Sequence, residues 1–471
     1  MKTIMILKQR ICLLTASILA TSAPAAIFTN LYNFSGSVFG TNSDGAQPSA
    51  ALTLSVNTLY GTTAGGGLGE GTVFRINTDG TGFIPLHAFR EFSGASTNSD
   101  GTAKFTVLAL SGNELFGAGP AGGSAGEGAL FRLNTDGTGF TNLHNFTASP
   151  SNLDGANPET GVALSGGRLF GTTTGGGAGG QGTIFTLDTD GSGFTNFYSF
   201  APFSTGEERV NPETILLVSG SALYGTTMLG GDWGYGVLFR VNFDGTGFTN
   251  LYSFETFDES GPHGSLVLSG GVLYGITLYT VFKVNLDGTG FTNLYRFTPL
   301  VLGINGYGNL VATNTDGYHP TSGLVLLGNT LYGTTQDGGA AGGGTVFKVN
   351  TDGSGFATLY NFSAPVTGLN ATTNTDGYSP QGGLVLSGGT LFGTTSSCGF
   401  FGSGTIFALT IIPTLELHLN GLNAVLSWND PVFQLQAGPT ATGQFTNVIG
   451  AASPYTNTVT GSQQFFRLVA Y

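Results

Sequence analysis

The sequence has little charge, almost no cysteine and no long apolar run after its first 25 residues. Only 9% of its 471 residues are charged, and two are cysteine. Cys12 belongs to the N-terminal segment described below, so Cys398 would remain alone and no internal disulfide could support the fold. A membrane-spanning helix needs about 20 apolar residues, and no segment after residue 25 supplies them. Stability must therefore come from packing.

Glycine and aromatic residues are abundant instead. The chain has 80 glycines, 12% aromatic residues and 40% hydrophobic residues, which is too much apolar material for a disordered chain. The glycines follow no strict three-residue period, and this excludes collagen. β-Branched and aromatic residues between glycine-rich turns are typical of an all-β fold.

The N-terminus has the three parts of a secretory signal peptide. Lys2, Lys8 and Arg10 precede a short apolar stretch, residues 11–20, and Ala23–Ala25 matches a cleavage site. We therefore expect residues 1–25 to be removed on export, leaving a secreted or cell-surface protein without a transmembrane helix; a membrane anchor is the alternative. The remaining 11 basic and 27 acidic residues give a net charge of −16. This charge disfavours nucleic acids and anionic membranes as partners, and we expect a monomer.

An internal repeat dominates the rest of the chain. The element L-[YF]-G recurs seven times, at intervals of 50–60 residues, and its glycines are Gly61, Gly117, Gly171, Gly225, Gly275, Gly333 and Gly393. Each unit contains four strand-like runs: A (G-L-V-L-S), B (L-Y-G-T-T), C (T-V-F-K-V-N) and D (F-T-N-L-Y-N-F). Glycine-rich or Asp-Gly turns separate these runs. Four strands in a period of this length predict one blade of a β-propeller.

The two ends of the repeat region complement each other. Seven A–B–C units are present, but the seventh, which ends in Thr405–Thr410, lacks its own strand D, whereas Phe28–Phe34 matches strand D at the other end of the chain. An N-terminal strand that completes the last sheet removes an open edge. We therefore predict a seven-bladed β-propeller over residues 26–412, closed by that strand. The alternative, a linear β-solenoid with glycine clusters every nine residues, does not fit the longer period.

Residues 413–471 leave the repeat at Pro413 and alternate as short strands, which predicts a small C-terminal β-sandwich-like module, similar to the fibronectin-like tails of exported bacterial proteins. The repeat elements L-Y-G-T-T, G-G-G-x-G-x-G-T-V-F and N-T-D-G-T-G-F-T-N-L-Y-N-F resemble the GloVer tandem repeat over about residues 27–412. The resemblance implies an exported, repeat-built surface protein and implies no catalytic activity.

In an antiparallel four-stranded unit the B–C loops and the D–A connections share one rim, and long loops on a rigid scaffold are where binding sites concentrate. The D–A connections carry an N-x-D-G motif at Asn42–Asp44, Asn98–Asp100, Asn152–Asp154, Asn314–Asp316 and Asn374–Asp376. These oxygens suit Ca²⁺, but one carboxylate per loop is few for an ion that takes six to eight oxygens. We favour an Asx-type turn and predict no cofactor. The C–D aspartates, such as Asp79 and Asp136, are assigned to turns.

Residues that break the repeat are the better binding candidates. They are Asp232, Trp233 and Tyr235 in the fourth B–C loop, Phe400 and Phe401 in the seventh, and Tyr318 and Tyr378 after D–A aspartates. Exposed aromatic rings beside polar groups suit a sugar face or a protein partner, and packing on neighbouring loops is the alternative. The fifth unit has no B–C loop, and we expect the connection Thr298–Asp316 to fill the gap.

No catalytic or metal-binding constellation is recognisable. Cys398 has no assignable base, and the histidines lack zinc-ligand spacing; His87 and His144 take the place of Tyr32 in strand D, which predicts packing. The favoured hypothesis is a non-enzymatic protein that binds an extracellular glycan or protein through the loop-bearing rim. A polysaccharide hydrolase or lyase and a purely structural surface protein are the alternatives. An enzyme would need acids that break the repeat to meet at the axis; these are Glu70, Glu127, Glu207, Asp232 and Asp337.

Overall fold

The computed structural model is built almost entirely of β-strands. It describes residues 26–36, 42–93, 96–148, 152–201, 210–304, 310–367, 372–412, 415–420, 423–428, 433–440, 444–458 and 465–470; the predicted signal peptide lies outside these ranges. Within them the only helical element is the 3₁₀ turn Phe257–Glu259, and no helix is long and apolar enough to cross a bilayer. The all-β prediction is confirmed, because β-branched and aromatic residues fit a pleated, half-buried surface.

The described repeat units form seven antiparallel sheets in the strand order A-B-C-D. The strands are Thr53–Ser55, Thr58–Thr63, Gly69–Asn77 and Ile84–Arg90 in sheet one; Ala109–Ser111, Glu114–Gly119, Ala129–Asn134 and Thr141–Asn145 in sheet two; Ala163–Ser165, Arg168–Thr173, Thr183–Asp188 and Thr195–Ser199 in sheet three; Leu217–Ser219, Ala222–Thr227, Val237–Asn242 and Thr249–Ser253 in sheet four; His263–Ser269, Val272–Ile276, Thr280–Asn285 and Thr292–Arg296 in sheet five; Val325–Leu327, Thr330–Asp337, Thr345–Asn350 and Ala357–Asn361 in sheet six; and Val385–Ser387, Thr390–Thr395, Thr405–Ile411 and Ala26–Asn33 in sheet seven. Short strands Gly66–Gly67 and Tyr318–Pro320 extend sheets one and six. Two hairpins, Val301–Ile304 with Leu310–Thr313 and Val366–Thr367 with Thr372–Thr373, follow sheets five and six.

Sheet seven is assembled from both ends of the repeat region. Strand Ala26–Asn33 pairs antiparallel with Thr405–Ile411, so that Phe28 lies opposite Leu409. The N-terminal strand thus occupies the position predicted for it. It covers backbone groups of strand C that would otherwise form an open edge.

Each sheet packs its apolar face on the next sheet. Tyr60 of sheet one shares a buried cluster with Leu115 of sheet two, and Leu59 of sheet one shares another with Ile406 of sheet seven. Equivalent clusters join sheets two to three, three to four, four to five, five to six and six to seven. Because strands B and C are covered on both faces, they are buried along most of their length and show no alternation of buried and exposed residues.

The glycine of the L-[YF]-G element makes room for a phenylalanine of strand C. A Cβ atom on Gly61 would lie 2.5 Å from Cζ of Phe74, and the six equivalent glycines meet the same neighbour at 2.4–2.6 Å. Carbon atoms in contact normally stay about 3.5–4 Å apart, so any larger residue would displace a buried ring. This close approach explains why glycine recurs at the centre of strand B.

An aromatic stack, here called the outer stack, joins strand D of each sheet to the next sheet. Tyr295 of sheet five lies on Phe356 of sheet six, with centroids 3.5 Å apart and planes 2° apart. The other pairs, at 3.7–4.2 Å, are Tyr32–Phe83, His87–Phe140, His144–Phe194, Tyr198–Phe248, Tyr252–Phe291 and Tyr360–Phe28. The packing role predicted for the two histidines is confirmed, because an imidazole presents the same kind of flat face as a phenol.

The C-terminal residues form two small antiparallel sheets. One contains Leu415–Asn420, Asn423–Trp428 and Tyr455–Thr458, and the other contains Phe433–Gly438, Thr446–Asn447 and Phe465–Ala470. Trp428 and Leu435 share one buried cluster with Ile411 of sheet seven. The core of this module is therefore continuous with the core of the repeats.

Candidate functional site

The B–C loops and the D–A connections meet on one rim. In sheet two, Oδ1 of Asn98 accepts a hydrogen bond from N of Gly101 in its own turn at 2.7 Å and one from N of Gly123 in the B–C loop at 3.0 Å. Asn42, Asn314 and Asn374 cap their turns in the same way. In these four motifs the asparagine side chain therefore caps its own turn, as predicted, and in Asn98, Asn314 and Asn374 it also binds the neighbouring loop.

The aspartate of the same motif holds the outer stack. Oδ2 of Asp316 accepts hydrogen bonds from the Tyr295 hydroxyl at 2.8 Å and from N of Thr298 at 2.9 Å. Asp44, Asp100, Asp154 and Asp376 bind the Tyr or His of their own stacks at 2.8–3.2 Å. Burial, with the bond and charge of the aspartate, raises the pKa of Tyr295, so its phenol stays protonated and donates. Carboxylates held this way have fewer oxygens left for Ca²⁺.

The C–D aspartates lie exposed on the opposite rim. Oδ1 of Asp79 accepts hydrogen bonds from Oγ1 of Thr81 at 2.7 Å and from N of Thr81 at 2.9 Å, which lowers the pKa of this carboxyl. Asp136 makes the same two bonds to Thr138. Their assignment to turns is confirmed.

The predicted residues of the fourth B–C loop differ in exposure. Trp233 is 61% exposed, and Asp232 beside it is exposed too. Tyr235 is half-buried, packs against the cluster between sheets four and five, and accepts a bond from N of Gly261 through its carbonyl. The loop therefore exposes Trp233 and Asp232 to solvent and uses Tyr235 as its anchor.

The other predicted residues lie on sheets six and seven. Phe400 and Phe401 are 68% and 47% exposed and meet edge to face at 5.0 Å. Tyr318 and Tyr378 are half-buried. Burial, with the charges of Asp337 and Cys398, raises the pKa of Tyr378. The structure thus distributes the predicted residues along the rim over several sheets and does not gather them in one pocket.

Exposed aromatic side chains of the described repeat region are confined to this rim. Phe105, Trp233, Phe257, Phe400 and Phe401 are each at least 47% exposed. All five lie in B–C loops or D–A connections, and none lies in an A–B or C–D turn of the opposite rim. This asymmetry makes the loop-bearing rim the candidate functional surface.

Sequence analysis missed most of the aromatic cluster at sheet five. The B–C turn of this sheet is residues 277–279, against residues 174–182 in sheet three. Tyr279 in this turn lies 5.5 Å from Phe257, 5.4 Å from Tyr318 and 5.8 Å from His319 between ring centroids. We call this place, with Asp337 beside it, the sheet-five gap. The absence of a B–C loop in sheet five could be seen in the sequence. It did not show that rings from the connections on both sides of the sheet would lie next to Tyr279.

Residues 305–309 of the connection expected to fill this gap lie outside the described residues, and its described part contacts another loop. Its hairpin lies against the B–C loop of sheet six, where a Cβ atom on Gly342 would come 3.1 Å from the carbonyl oxygen of Ala312. The rings that border Tyr279 are Phe257, before sheet five, and Tyr318 and His319, which lie just beyond Asp316 at the end of the same connection. The cause is the extra strand Tyr318–Pro320, which pairs with the end of strand B in sheet six and carries Tyr318 toward Tyr279.

Two further carboxylates, Glu159 and Glu213, precede the first strands of sheets three and four, which are neighbouring inner strands. Thr172 Oγ1 of sheet three donates to the carbonyl of Pro212, next to Glu213, at 3.0 Å. Burial raises the pKa of Glu159; burial and the charge of Glu159 raise the pKa of Glu213 to about 7. We call them the inner acid pair. Each follows an Asn-Pro dipeptide, a signal that sequence analysis did not use.

The remaining chemical candidates are scattered. Glu70 lies 3.6 Å from Lys104, and Glu207 falls outside the described residues. Burial raises the pKa of the Cys398 thiol to about 11, which suits an inert thiol better than a nucleophile. In the described part of the chain, no three His, Cys, Asp or Glu side chains come together as a metal site.

The chain repeats one antiparallel sheet of four strands in tandem, and the candidate residues that break the repeat lie on one rim. These features define a β-repeat protein. By sequence, residues 91–279 and 148–314 match the Gloeobacter/Verrucomicrobia repeat. The match confirms, over residues 91–314, the resemblance of the repeat motifs to the GloVer family. No curated protein matches the chain by sequence.

Several solved structures are similar at low sequence identity. Oligogalacturonate lyase in complex with manganese is 11% identical with a TM-score of 0.47, over 87% of this chain and 98% of that one. The GH74 enzyme of Niastella koreensis is 17% identical with a TM-score of 0.45, over 85% of this chain and 59% of that one. A chain of the nidogen/laminin complex is 16% identical with a TM-score of 0.39, over 64% of this chain and 93% of that one.

Proposed function

We propose that the seven sheets close into a seven-bladed β-propeller, and that the exported protein binds an extracellular glycan through the loop-bearing rim without catalysis. Closure is supported by the last sheet packing on the first, through Leu59 with Ile406 and through the Tyr32–Phe83 stack. In an open array of sheets these two faces would be exposed to water. Burying them is favourable by about 25 cal/mol per Å² of apolar surface.

Glycan binding rests on one observation, the confinement of exposed aromatic side chains to the loop-bearing rim. An apolar ring that contacts only water costs free energy, whereas the same ring offers a flat face to a sugar. Trp233 is 61% exposed beside an exposed carboxylate, Asp232, which can accept hydrogen bonds from hydroxyl groups. Export rests on the charge, apolar stretch and cleavage site of residues 1–25.

The test combines a glycan array with an activity screen on the same polysaccharides, using residues 26–471. We expect retention of a glycan without release of reducing ends or unsaturated products. The triple variant Trp233→Ala, Phe257→Ala, Phe400→Ala should bind at least about ten-fold more weakly, if a sugar gains on each ring the about 1–3 kcal/mol that a stacked nucleic-acid base gains. Its melting temperature should stay close to that of the wild type because the three side chains are exposed.

The matched control is Val56→Ala, at a side chain that is 84% exposed in an A–B turn of the opposite rim. Binding by this variant should equal binding by the wild type. If the wild type retains no glycan, or if the triple variant binds as well as Val56→Ala, the proposal is wrong.

A polysaccharide-acting enzyme is the second candidate, and the inner acid pair favours it. Two neighbouring carboxyl groups with raised pKa values are the kind of pair that can divide acid and base roles at neutral pH. If the wild type releases products from a polysaccharide, and Glu213→Gln abolishes this release while it retains the glycan as before, the enzyme proposal replaces the binding proposal.

A further inference from the structure

We infer that a cavity beside sheet one is a sugar subsite of the loop-bearing rim, and that it binds a neutral sugar unit of a polysaccharide through its hydroxyl groups. The inference rests on the proposed glycan-binding function and deepens it by naming the place and the class of sugar. We call this place the sheet-one cavity, and its lining residues are Asn42, Ser43, Gly67, Leu68, Arg90 and Glu91.

The sheet-one cavity lies where three segments of the chain meet. Its volume is about 750 Å³, within the range of about 300–1,000 Å³ that is usual for small-ligand sites. Asn42 and Ser43 belong to the D–A connection that enters sheet one, Gly67 and Leu68 belong to its B–C loop, and Arg90 ends its strand D. The cavity therefore combines the two kinds of loop that share this rim with the end of a strand.

Sheet one holds its B–C loop differently from other sheets. In sheets two, six and seven, an asparagine of strand D accepts a hydrogen bond from a backbone N of the loop at 2.8–3.2 Å; these residues are Asn145, Asn361 and Asn33. Sheet one has Ala88 at this position, and its side chain offers no acceptor. Strand D instead continues to Arg90, which pairs with Gly69 of a strand C that is nine residues long. The longer hairpin carries Arg90 and Glu91 onto the rim.

The two charged side chains of the sheet-one cavity retain hydrogen-bonding capacity. A guanidinium has five N–H donors, and Arg90 donates from Nη1 to Oγ of Ser99 at 3.2 Å, which leaves donors for a ligand. Glu91 is exposed, and in the described part of the chain its carboxylate forms no hydrogen bond and no ion pair. A Cβ atom on Gly69 would overlap Cγ of Glu91. The glycine therefore allows the Glu91 side chain to lie against the loop at the edge of the cavity.

The opposite charges of Arg90 and Glu91 select a neutral sugar. A hydroxyl group both donates and accepts, so one hydroxyl can donate to Glu91 while another accepts from Arg90. A carboxylate on the sugar would be repelled by Glu91, and an ammonium group would be repelled by Arg90. Glu70 of strand C is paired with Lys104 at 3.6 Å and adds no net charge. Leu68 is 54% exposed and offers apolar surface to the C–H groups of a sugar ring.

The experiment measures the affinity of residues 26–471 for neutral β-glucan, neutral galactomannan, anionic polygalacturonate and cationic chitosan, by affinity electrophoresis and calorimetry. We expect binding to a neutral polysaccharide in preference to the two charged ones. Arg90→Gln and Glu91→Gln should each weaken that binding about ten-fold, because each removes a charged partner of a hydroxyl group. The matched control, Arg75→Gln, removes a positive charge from strand C of the same sheet, near its C–D turn, and should bind like the wild type. Melting temperatures of the two cavity variants should stay close to that of the wild type, because both side chains are exposed.

The outcomes separate this inference from the proposed function. If the triple variant of the exposed aromatic residues loses binding while Arg90→Gln and Glu91→Gln bind like Arg75→Gln, the sheet-one cavity is not a subsite, although the rim still binds glycan. If the wild type prefers polygalacturonate or chitosan to the neutral polysaccharides, the class of sugar is wrong. If it binds none of the four and retains nothing on the array, the proposed function fails as well.

Discussion

Two sets of aromatic rings lie within sheets five and six, and they differ in how they are packed. Tyr295 and Phe356 stack at 3.5 Å with nearly parallel planes, and the Tyr295 hydroxyl is bound by Asp316. Tyr279 and Tyr318 lie 5.4 Å apart with planes tilted by 41°. The stack of Tyr295 on Phe356 has an equivalent between every two consecutive sheets. The tilted pair Tyr279–Tyr318 lies at sheet five, where the B–C loop is missing. Repetition therefore marks the contacts that hold the sheets together, and departure from it marks the places where one sheet differs from the next, which is where we propose that a ligand binds.

Deleting residues 27–34 should break the repeated set most severely. The deletion removes strand D of sheet seven together with the Phe28–Tyr360 and Tyr32–Phe83 stacks. Each buried aromatic side chain contributes about 1.5–3 kcal/mol, so we expect loss of a stability comparable with the whole of a typical domain, about 5–15 kcal/mol. Thermal unfolding and size-exclusion chromatography should show a collapsed melting temperature or aggregation.

The point variant Ile27→Ser is the control, because Ile27 is 43% exposed on the same strand. It should change the melting temperature little. A deletion variant that melted like the wild type would refute closure of the repeat by the N-terminal strand.

Asp316→Ala breaks one outer stack and should have an intermediate effect. The variant leaves the Tyr295 hydroxyl and N of Thr298 without their acceptor. Removing a buried, charged acceptor costs about 2–4 kcal/mol, which urea unfolding would detect. Asp352→Ala, in an exposed C–D turn, should shift the unfolding midpoint less.

The same measurement tests the calcium alternative. If the N-x-D-G aspartates serve the stacks and turns alone, EDTA should leave the melting temperature unchanged. A fall of several degrees, restored by Ca²⁺ and absent in Asp316→Ala, would show that these loops hold the ion.

The inner acid pair predicts a smaller, pH-dependent effect. The folded-state pKa of Glu213, about 7, lies above its ordinary value of 4.5, so the folded state holds a proton that the unfolded chain has released. The contribution of Glu213 to stability should therefore be greatest below about pH 4.5 and should decrease up to about pH 7, by at most about 3 kcal/mol. Glu213→Gln should flatten this slope.

Melting temperatures at pH 5 and pH 8 measure this effect. The difference between the two should shrink in Glu213→Gln and stay as in the wild type in Glu91→Gln, whose side chain is exposed. An equal pH dependence in the two variants would mean that the Glu213 carboxyl is not held protonated by its surroundings.

The roles of residues that recur in every repeat unit could be predicted from the sequence. The glycine of strand B, the Asp-Gly turns and the replacement of Tyr32 by His87 each follow from a residue and its immediate neighbours. The partner of the N-x-D-G aspartate was not predictable, although Asp44 and Tyr32 are only 12 residues apart. Which oxygen meets which donor depends on how the connection bends over the outer stack, and no spacing rule encodes that bend.

The candidate site shows the same limit more strongly. Trp233 and Phe400 were identified because they replace glycine, and both are exposed. Phe257, Tyr279 and His319 come from different connections, and Glu159 and Glu213 from different sheets. The residues next to each of these side chains in the sequence do not indicate which distant side chain it will meet. Only the packing of adjacent sheets brings them together.

The sequence by itself determined the all-β class, the resemblance to the repeat family, the order of the four strands in each unit and the placement of an N-terminal strand in the last sheet. These follow from composition and period, which act through local turn chemistry and the two-residue alternation of strands. The tertiary structure alone decided which rings stack and which stay open, which aspartates are bound by tyrosine or histidine, and where two carboxyl groups share one environment. Those outcomes depend on distances between residues far apart in the chain, and such distances are set by how whole sheets pack on one another.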